Sequence, residues 1–460
     1  MSFGGVALGG CALVAALAAE VARETGLADA AIPLLKAAYL LKEFYVEPID
    51  PQLAKQRLLA GLLDNLDPHT AYLPPERSKR MAEEMQGSYG GVGMGAKAGA
   101  EKGVLVVTDV SGEGPAARAG IKPGDRILAI DGAPVDDRGW ARNAGRIRGP
   151  VGSIVELKMA PKEGGAARVA RLARAPIELP IAQWTLIDTE RGKVLWLRES
   201  RFGEDLVRQT ATAAMAANKE AGGKVVGILL DLRDNGGGLV SSAVGLAAFF
   251  GEPGALVVTA RGREGQAAQR WSATLDDWSV GQNLGEDHVA TARKAAPWLG
   301  SAPMAVLVNR RSASASEIVA GALRDWKRAV VVGNDTFGKG SVQSLIPLGE
   351  GNGSIKITTS RYYTPLGSAI QAVGVKVDVK VASALDRGLR EADLPKHLAR
   401  ESAGAEPNPA TEAAEGEELS QDSRIAAELA REESRATFSW RLRAPGGDPY
   451  VAAGVRALKL

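Results

Sequence analysis

The chain has 460 residues, enough for about three structural units at roughly 150 residues each. Hydrophobic residues make up 45% and charged residues 24%, a balance that supports a sizeable core and excludes a wholly disordered or multi-span membrane protein. The 56 Lys and Arg against 54 Asp and Glu leave a net charge of +2, too even for affinity driven by phosphate neutralisation, so nucleic acid is not expected as a partner.

The first residues, Met1 to Ala19, carry no charge, and the apolar run ends at the small-x-small pattern Ala16-Leu17-Ala18 before Glu20. Residues 1–29 therefore read as an export signal or short membrane anchor, although the usual positive leading region is absent. Leu8-Gly9-Gly10-Cys11 has the form of a lipoprotein cleavage box, but too few residues precede it for lipidation to be expected. With such a leader the protein is expected in a bacterial cell envelope, exported to the periplasm or anchored by its N-terminus. Cys11 is the only cysteine, so no intrachain disulfide can form, and His69, His288 and His397 lie too far apart for a histidine metal motif. No cofactor and no metal are expected.

Residues 30–87 form an N-terminal helical segment: apolar residues recur at three- and four-residue spacing up to Leu66, broken at Pro48 and Pro51. Residues 88–175 change to short β-rich runs (VLVVTDV, RILAID, SIVELKM) punctuated by Gly and Pro, a small β-rich domain. Across 176–396, strand-like runs such as VVGILLDL, MAVLVN and AVVVG alternate with helical patterns, which predicts βαβ organisation around a largely parallel sheet. The acidic stretch 397–436 reads as a solvated linker, and 437–460 as a short closing segment. The fold class expected is multidomain α/β with an inserted β-rich domain.

Three stretches of the βαβ region could carry chemistry. Arg311-Ser312-Ala313-Ser314-Ala315-Ser316-Glu317 joins the strand MAVLVN to a helix, so a serine there meets backbone N–H groups and a helix dipole that favour an oxyanion. Ser314-x-x-Glu317 is equally a capping box, whose serine would only close the helix. Gly333 to Lys339 matches a phosphate-binding loop until Gly340 stands where Ser or Thr must hold magnesium, and the strand-like SVQSLIPL that follows argues against nucleotide. As a general base Lys339 would have to be neutral, which from a free pKa of about 10.4 means disfavouring the ammonium by roughly 4 kcal/mol. Gln343, four residues on in an extended-looking segment, is expected on the same face and could accept from the amine without adding charge. The run Asp234-Asn235-Gly236-Gly237-Gly238 after VVGILLD lets backbone N–H groups approach a carbonyl, as an oxyanion hole or a plain turn would.

In the β-rich domain, Tyr89-Gly90-Gly91-Val92-Gly93-Met94-Gly95 and Gly120-x-x-x-Gly124-Asp125 resemble a PDZ domain, with Gly91, Val92 and Gly93 at the loop that accepts a peptide carboxylate. DPHTAYL at 67–73, this module, LLDLRDNGGG at 229–238, VNRRSASASEIVAGALRDWKRAVVVG at 308–333, TFGKGSVQ at 336–343 and SRYYTPLG at 360–367 occur in the order found in the C-terminal processing peptidases, or tail-specific proteases. The resemblance covers roughly residues 35–396. It implies a serine endopeptidase that binds protein tails through a PDZ-like domain. It places the nucleophile on Ser314, the base on Lys339, the orienting glutamine on Gln343 and the oxyanion hole on the N–H groups of Ala315 and Gly237. Asp325 matches a family aspartate, and Gly236 departs from the proline that relatives usually carry. The partners implied are protein or peptide substrates with free C-termini. A regulatory or adaptor protein, membrane association through the N-terminus and homo-oligomerisation stay open. The alternative is a catalytically silent PDZ scaffold that binds tails without cutting them. The Trp- and charge-rich stretch 270–300 has no functional reading.

Overall fold

The computed structural model describes residues 27–85, 88–112, 114–136, 140–178, 181–264, 266–279, 287–381, 388–400 and 448–459. The leader up to residue 26, with Cys11, and most of the acidic linker lie outside the described residues. No helix among the described residues is long and apolar enough to cross a membrane.

The catalytic-half candidates sit on a six-stranded sheet. Its order is Ala182–Thr189, Gly192–Glu199, Val225–Asp231, Met304–Val308, Val330–Gly333 and Val379–Lys380; the first pair is antiparallel and the rest are parallel. The runs VVGILLD and MAVLV are almost continuously apolar because this sheet is covered on both sides. Successive side chains alternate between two cores. Ile228, Leu230, Val306 and Val308 point into the large core shared with the helices Leu206–Glu220, Val240–Ala248 and Ala315–Asp325. Leu229, Ala305 and Leu307 point into a smaller core closed by Tyr450, Val451 and Ala453 of the helix Pro449–Ala457. That last helix begins with Asp448 accepting from the N–H groups of Tyr450 and Val451, and with Pro449 in the first turn, a good helix start. It is a structural cover for the sheet, more than the short closing segment read from the sequence.

A second, antiparallel sheet lies beside the first. Its long strand Ser354–Tyr363 pairs with Ser341–Pro347, Ala71–Leu73 and Leu256–Arg261, and Gln269–Ser272 extends it. The motif DPHTAYL thus enters as an edge strand of the sheet that also carries SVQSLIP. The segment before it forms two helices, Leu27–Phe44 and Pro51–Leu63, the second started by Asp50 accepting from the Gln52 N–H at 2.8 Å. The β-rich module is an antiparallel sheet, Met94–Ala98, Leu105–Val110, Arg126–Ile130, Ile154–Ala160 and Arg168–Ala173, around its own core of Val107, Ile127, Val155 and Leu157. The pair Ser88–Gly91 and Ala175–Glu178 brings the chain in and out of it.

The tryptophans of 270–300 are packing residues where the structure describes them. Trp278 is buried against Gly245 and lies in the large core, and Trp298 Nε1–H donates to Asn218 Oδ1 at 2.7 Å. The mixed α/β architecture with an inserted β-rich module agrees with the sequence reading.

Candidate active site

The stretch 312–316 holds three serines, and their surroundings separate them. Ser312 is buried, its hydroxyl donating to the Leu232 carbonyl at 2.8 Å; Ser316 is buried, its hydroxyl donating to the Asn235 carbonyl at 2.8 Å. Both are consumed in tying the serine loop to the glycine loop, a tie completed by the Ala313 N–H on the Asn235 carbonyl at 3.0 Å. Ser314, between them, is the partly exposed one, and its backbone sits at φ 56, ψ −113, a costly conformation for a residue with a Cβ. Such strain persists where the surrounding bonds over-determine it, and the serine loop supplies those bonds.

The glycine loop meets Ser314 directly. A Cβ on Gly237, whose φ is +101, would lie 2.8 Å from Ser314 Cβ and 2.9 Å from Ala315 N, so only glycine fits. The Ala315 N–H has no acceptor among the described residues. The Gly237 N–H, in contrast, donates to Asn235 Oδ1 at 2.9 Å, because the asparagine closes a tight turn on its own loop. Of the two expected oxyanion donors, one is open and one is turned onto a side chain. Gly236 has nothing within 4 Å of a Cβ and no positive φ, so glycine in place of proline leaves no hole in the packing there.

Lys339 lies in the loop that follows Val330–Gly333. Glu317, one turn into the serine helix and fully buried, ties that loop to Ser314. Its Oε2 accepts from the Ser314 N–H at 2.8 Å and the Lys339 N–H at 2.9 Å, and its Oε1 from the Gly338 N–H at 2.7 Å and the Thr336 hydroxyl at 2.5 Å. Burial pushes this carboxyl up to about 7, against the pull of those four bonds. In the sequence Glu317 was legible only as a capping-box partner; its distance of twenty-two positions from Lys339 hid the second half of its role.

Lys339 is drawn down to about 8, first by burial and then by the charge of Lys356, while Glu391, Glu317 and Asp67 pull the other way. Among the described residues no hydrogen bond joins Lys339 Nζ to Ser314 or to Gln343. Gln343 instead donates to Ser341 Oγ at 2.9 Å and Thr358 Oγ1 at 3.2 Å. The shared face expected from four-residue spacing is lost for two reasons: Lys339 precedes the strand Ser341–Pro347, and the ladder shifts register between Val342 and Gln343. Asp325 is placed away from Ser314, at the far end of a helix of eleven residues, or ~16 Å at 1.5 Å per residue. There it accepts from the Leu366 N–H at 2.9 Å.

In the β-rich module, Gly91 ends the strand Ser88–Gly91 and pairs with Ala175. The carbonyls of Val92 and Gly93 accept from the Ala116 and Ser111 N–H groups, each at 2.8 Å, whereas the N–H groups of Val92 and Gly93 have no acceptor among the described residues. The next strand, Met94–Ala98, is paired on one side only among the described residues and leaves an edge to which a further strand could add.

Residues 193–381 match Peptidase family S41 and residues 106–160 match the PDZ domain. The chain is 34% identical over 366 residues, 77% of each chain, to a carboxy-terminal-processing protease of Bartonella bacilliformis. It is 32% identical over 359 residues, 75% of this chain and 72% of the relative, to a chloroplastic C-terminal processing peptidase of Tetradesmus obliquus. Among solved structures, a photosystem II D1 C-terminal processing protease covers 75% of this chain and 86% of its own at 28% identity and a TM-score of 0.42. The chain belongs to the carboxy-terminal-processing proteases, serine-type peptidases of family S41 with a PDZ domain.

Proposed function

We propose that the protein is an endopeptidase in which Ser314 is the nucleophile, Lys339 the general base and Gln343 an orienting group, and that Gly91, Val92 and Gly93 receive the substrate's terminal carboxylate. The observation that carries this reading is the Glu317 clamp: one buried carboxylate holds the main chains of Ser314 and Lys339 together, beside a lysine whose ammonium is disfavoured. At pH 7 a lysine near 8 is neutral in about one molecule in ten, enough for a base that turns over.

Neutral Lys339 Nζ takes the proton as Ser314 Oγ attacks the scissile carbonyl. The oxyanion forms at the start of the serine helix, where the Ala315 N–H is open. Gly237 adds its N–H once that group is released from Asn235, a small rotation that substrate binding would drive. The Lys339 ammonium then protonates the leaving amine; the neutral Lys339 amine next deprotonates a water that attacks the acyl carbon, and it returns that proton to Ser314 Oγ as the acyl group departs. For Gln343 to orient Lys339, its amide would have to leave the Thr358 hydroxyl that it now donates to. Tail recognition is supported by the two unengaged N–H groups of the Val92–Gly93 loop and the free edge of Met94–Ala98. The uncharged leader supports an envelope location. The presence of both reacting side chains disfavours the silent scaffold.

The test is hydrolysis of a long unstructured peptide with a free apolar C-terminus by the wild type and by Ser314→Ala. The variant is expected to be folded and inactive, losing at most about 1 kcal/mol of stability. Near-normal turnover by the folded variant would remove Ser314 from the mechanism.

A further inference from the structure

The motif Asp67-Pro68-His69-Thr70 precedes the edge strand Ala71–Leu73 and makes no hydrogen bond to Ser314 or the glycine loop among the described residues, yet it is linked by two routes to the segments around Lys339. On one side, Asp67 accepts four hydrogen bonds: from the His69 N–H at 2.8 Å, the Thr70 N–H at 3.0 Å, the Thr70 hydroxyl at 2.6 Å and the Thr358 hydroxyl at 3.1 Å. Burial opposes its charge, but those bonds outweigh it and hold the carboxyl below its ordinary value. Thr358 Oγ1 is also the acceptor of Gln343 Nε2.

On the other side, His69 Nε2–H faces both oxygens of Glu391, at 3.0 and 2.8 Å, with the histidine side chain 15% exposed and the carboxylate fully buried. Glu391 Oε1 also accepts from Gln371 Nε2 at 2.9 Å, and Gln371 Oε1 accepts from the Gly340 N–H at 3.0 Å. Gly340 follows Lys339 and is pressed so closely on Gln371 that a Cβ would lie 2.8 Å from Gln371 Cα. The Glu391 N–H donates to the Phe337 carbonyl at 3.0 Å, and the Ala372 N–H to the Gly338 carbonyl at 2.8 Å. The loop that carries the lysine is therefore fastened at 337, 338 and 340 to a network that ends at His69. Glu317 fastens the loop to the serine helix, and this network fastens it to the segments that carry Gln371 and Glu391.

We propose that His69, acting through Glu391 and Gln371, is a positioning residue for the lysine of the peptidase, and that Glu391 also sets the charge that the lysine meets. The proposal rests on the assignment of Lys339 as base. The charged groups acting on Lys339 come from four elements: Lys356 on the long strand, Glu317 on the serine helix, Asp67 in the motif and Glu391 beyond the sheet. Lys356 favours the neutral amine and the three carboxylates favour the ammonium. Replacing Glu391 by glutamine keeps an acceptor for His69 and Gln371 and removes one of the three negative charges. The working, neutral form of the lysine then extends to lower pH.

The experiment measures kcat and KM against pH for the full chain and for His69→Ala, His69→Gln, Glu391→Gln and Lys339→Arg, with a long unstructured peptide as substrate. Circular dichroism confirms the fold of each. His69→Ala is expected to lose about 10- to 100-fold in kcat with KM changed by no more than about twofold, and His69→Gln, which can still donate to Glu391, to recover part of the loss. Glu391→Gln is expected to move the acid limb of the kcat profile to lower pH. Wild-type kcat in His69→Ala, or an acid limb in Glu391→Gln that stays where the wild type has it, overturns the proposal; the second result decides if His69→Ala does not fold. Lys339→Arg separates the two failures. An active arginine variant refutes the lysine as base and the proposal with it, whereas an inactive one beside a fully active His69→Ala refutes the positioning role alone.

Discussion

Three serines occupy alternate positions from 312 to 316, and hydrogen bonding alone distinguishes the one available for chemistry. Ser312 and Ser316 spend their hydroxyls on carbonyls of the neighbouring loop, and Ser314 is left at the mouth of the helix in a backbone conformation that few serines adopt. Lys339→Arg should be as inactive as Lys339→Ala, because a guanidinium cannot give up its proton and so cannot act as base. A fully active arginine variant would show instead a structural cation, and peptide hydrolysis by the two purified variants distinguishes the cases. The strand, loop and helix start that carry Ser314 were legible in the sequence as local patterns, whereas the roles given to Ser314 and Lys339 rested on the family resemblance. The state of Gly237 was not, since its N–H is turned by the side chain two residues before it. Nor was the place of Gln343, because one register shift in a ladder defeats counting by two. Glu317 could have been suspected from its spacing to Ser314, but its bonds to residues 336–339 are tertiary.

At the scale of elements, the strand Gly192–Glu199 ends beneath the glycine loop, where Asn235 Nδ2–H donates to the Glu199 carbonyl at 2.8 Å. The Glu199 carboxyl is fully buried; one oxygen accepts from the Thr210 hydroxyl at 2.8 Å and the other has no partner among the described residues. Burial raises it from an ordinary 4.5 to about 8, with Thr210 opposing. Between those values the folded protein keeps a proton that the unfolded chain has released, so stability is greatest at the acid end of this window and falls as pH rises through about 8. Urea midpoints at pH 5 and pH 9 should drop for the wild type and change less for Glu199→Gln; an equal drop in both would place the pH dependence elsewhere. The PDZ module invites a second test. Amidating the substrate's C-terminus removes charge and an acceptor, leaving the Val92 and Gly93 N–H groups unpaired at about 1 to 3 kcal/mol, or roughly tenfold or more in affinity. The kcat/KM of a long substrate should fall accordingly, and equal values for free and amidated termini would refute tail recognition by this loop. The module's strands were readable from their Gly- and Pro-bounded runs, whereas its one-sided edge strand required the pairing itself.

Across the whole molecule, segments remote in sequence converge on one stretch of the parallel sheet's edge. The glycine loop follows Val225–Asp231, the serine loop follows Met304–Val308 and the lysine loop follows Val330–Gly333, three adjacent parallel strands whose C-terminal ends form the site. The terminal helix reaches the same edge: Asp448 accepts two bonds from Arg233 Nη1, at 3.0 and 2.8 Å, Arg233 is paired with the buried Asp231, and its guanidinium lies 4.9 Å from the Tyr450 ring centroid. Alternation of helix and strand patterns revealed the sheet, but a nine-residue helix beyond an acidic stretch carries too little periodicity to announce that it covers one face of it. If a neutral Lys339 activates Ser314, as proposed, kcat/KM measured from pH 5 to 10 rises with pH and levels off with a midpoint at about 8, and no such activity remains in Ser314→Ala. A rate independent of pH across that range, in an enzyme that stays folded, would contradict it.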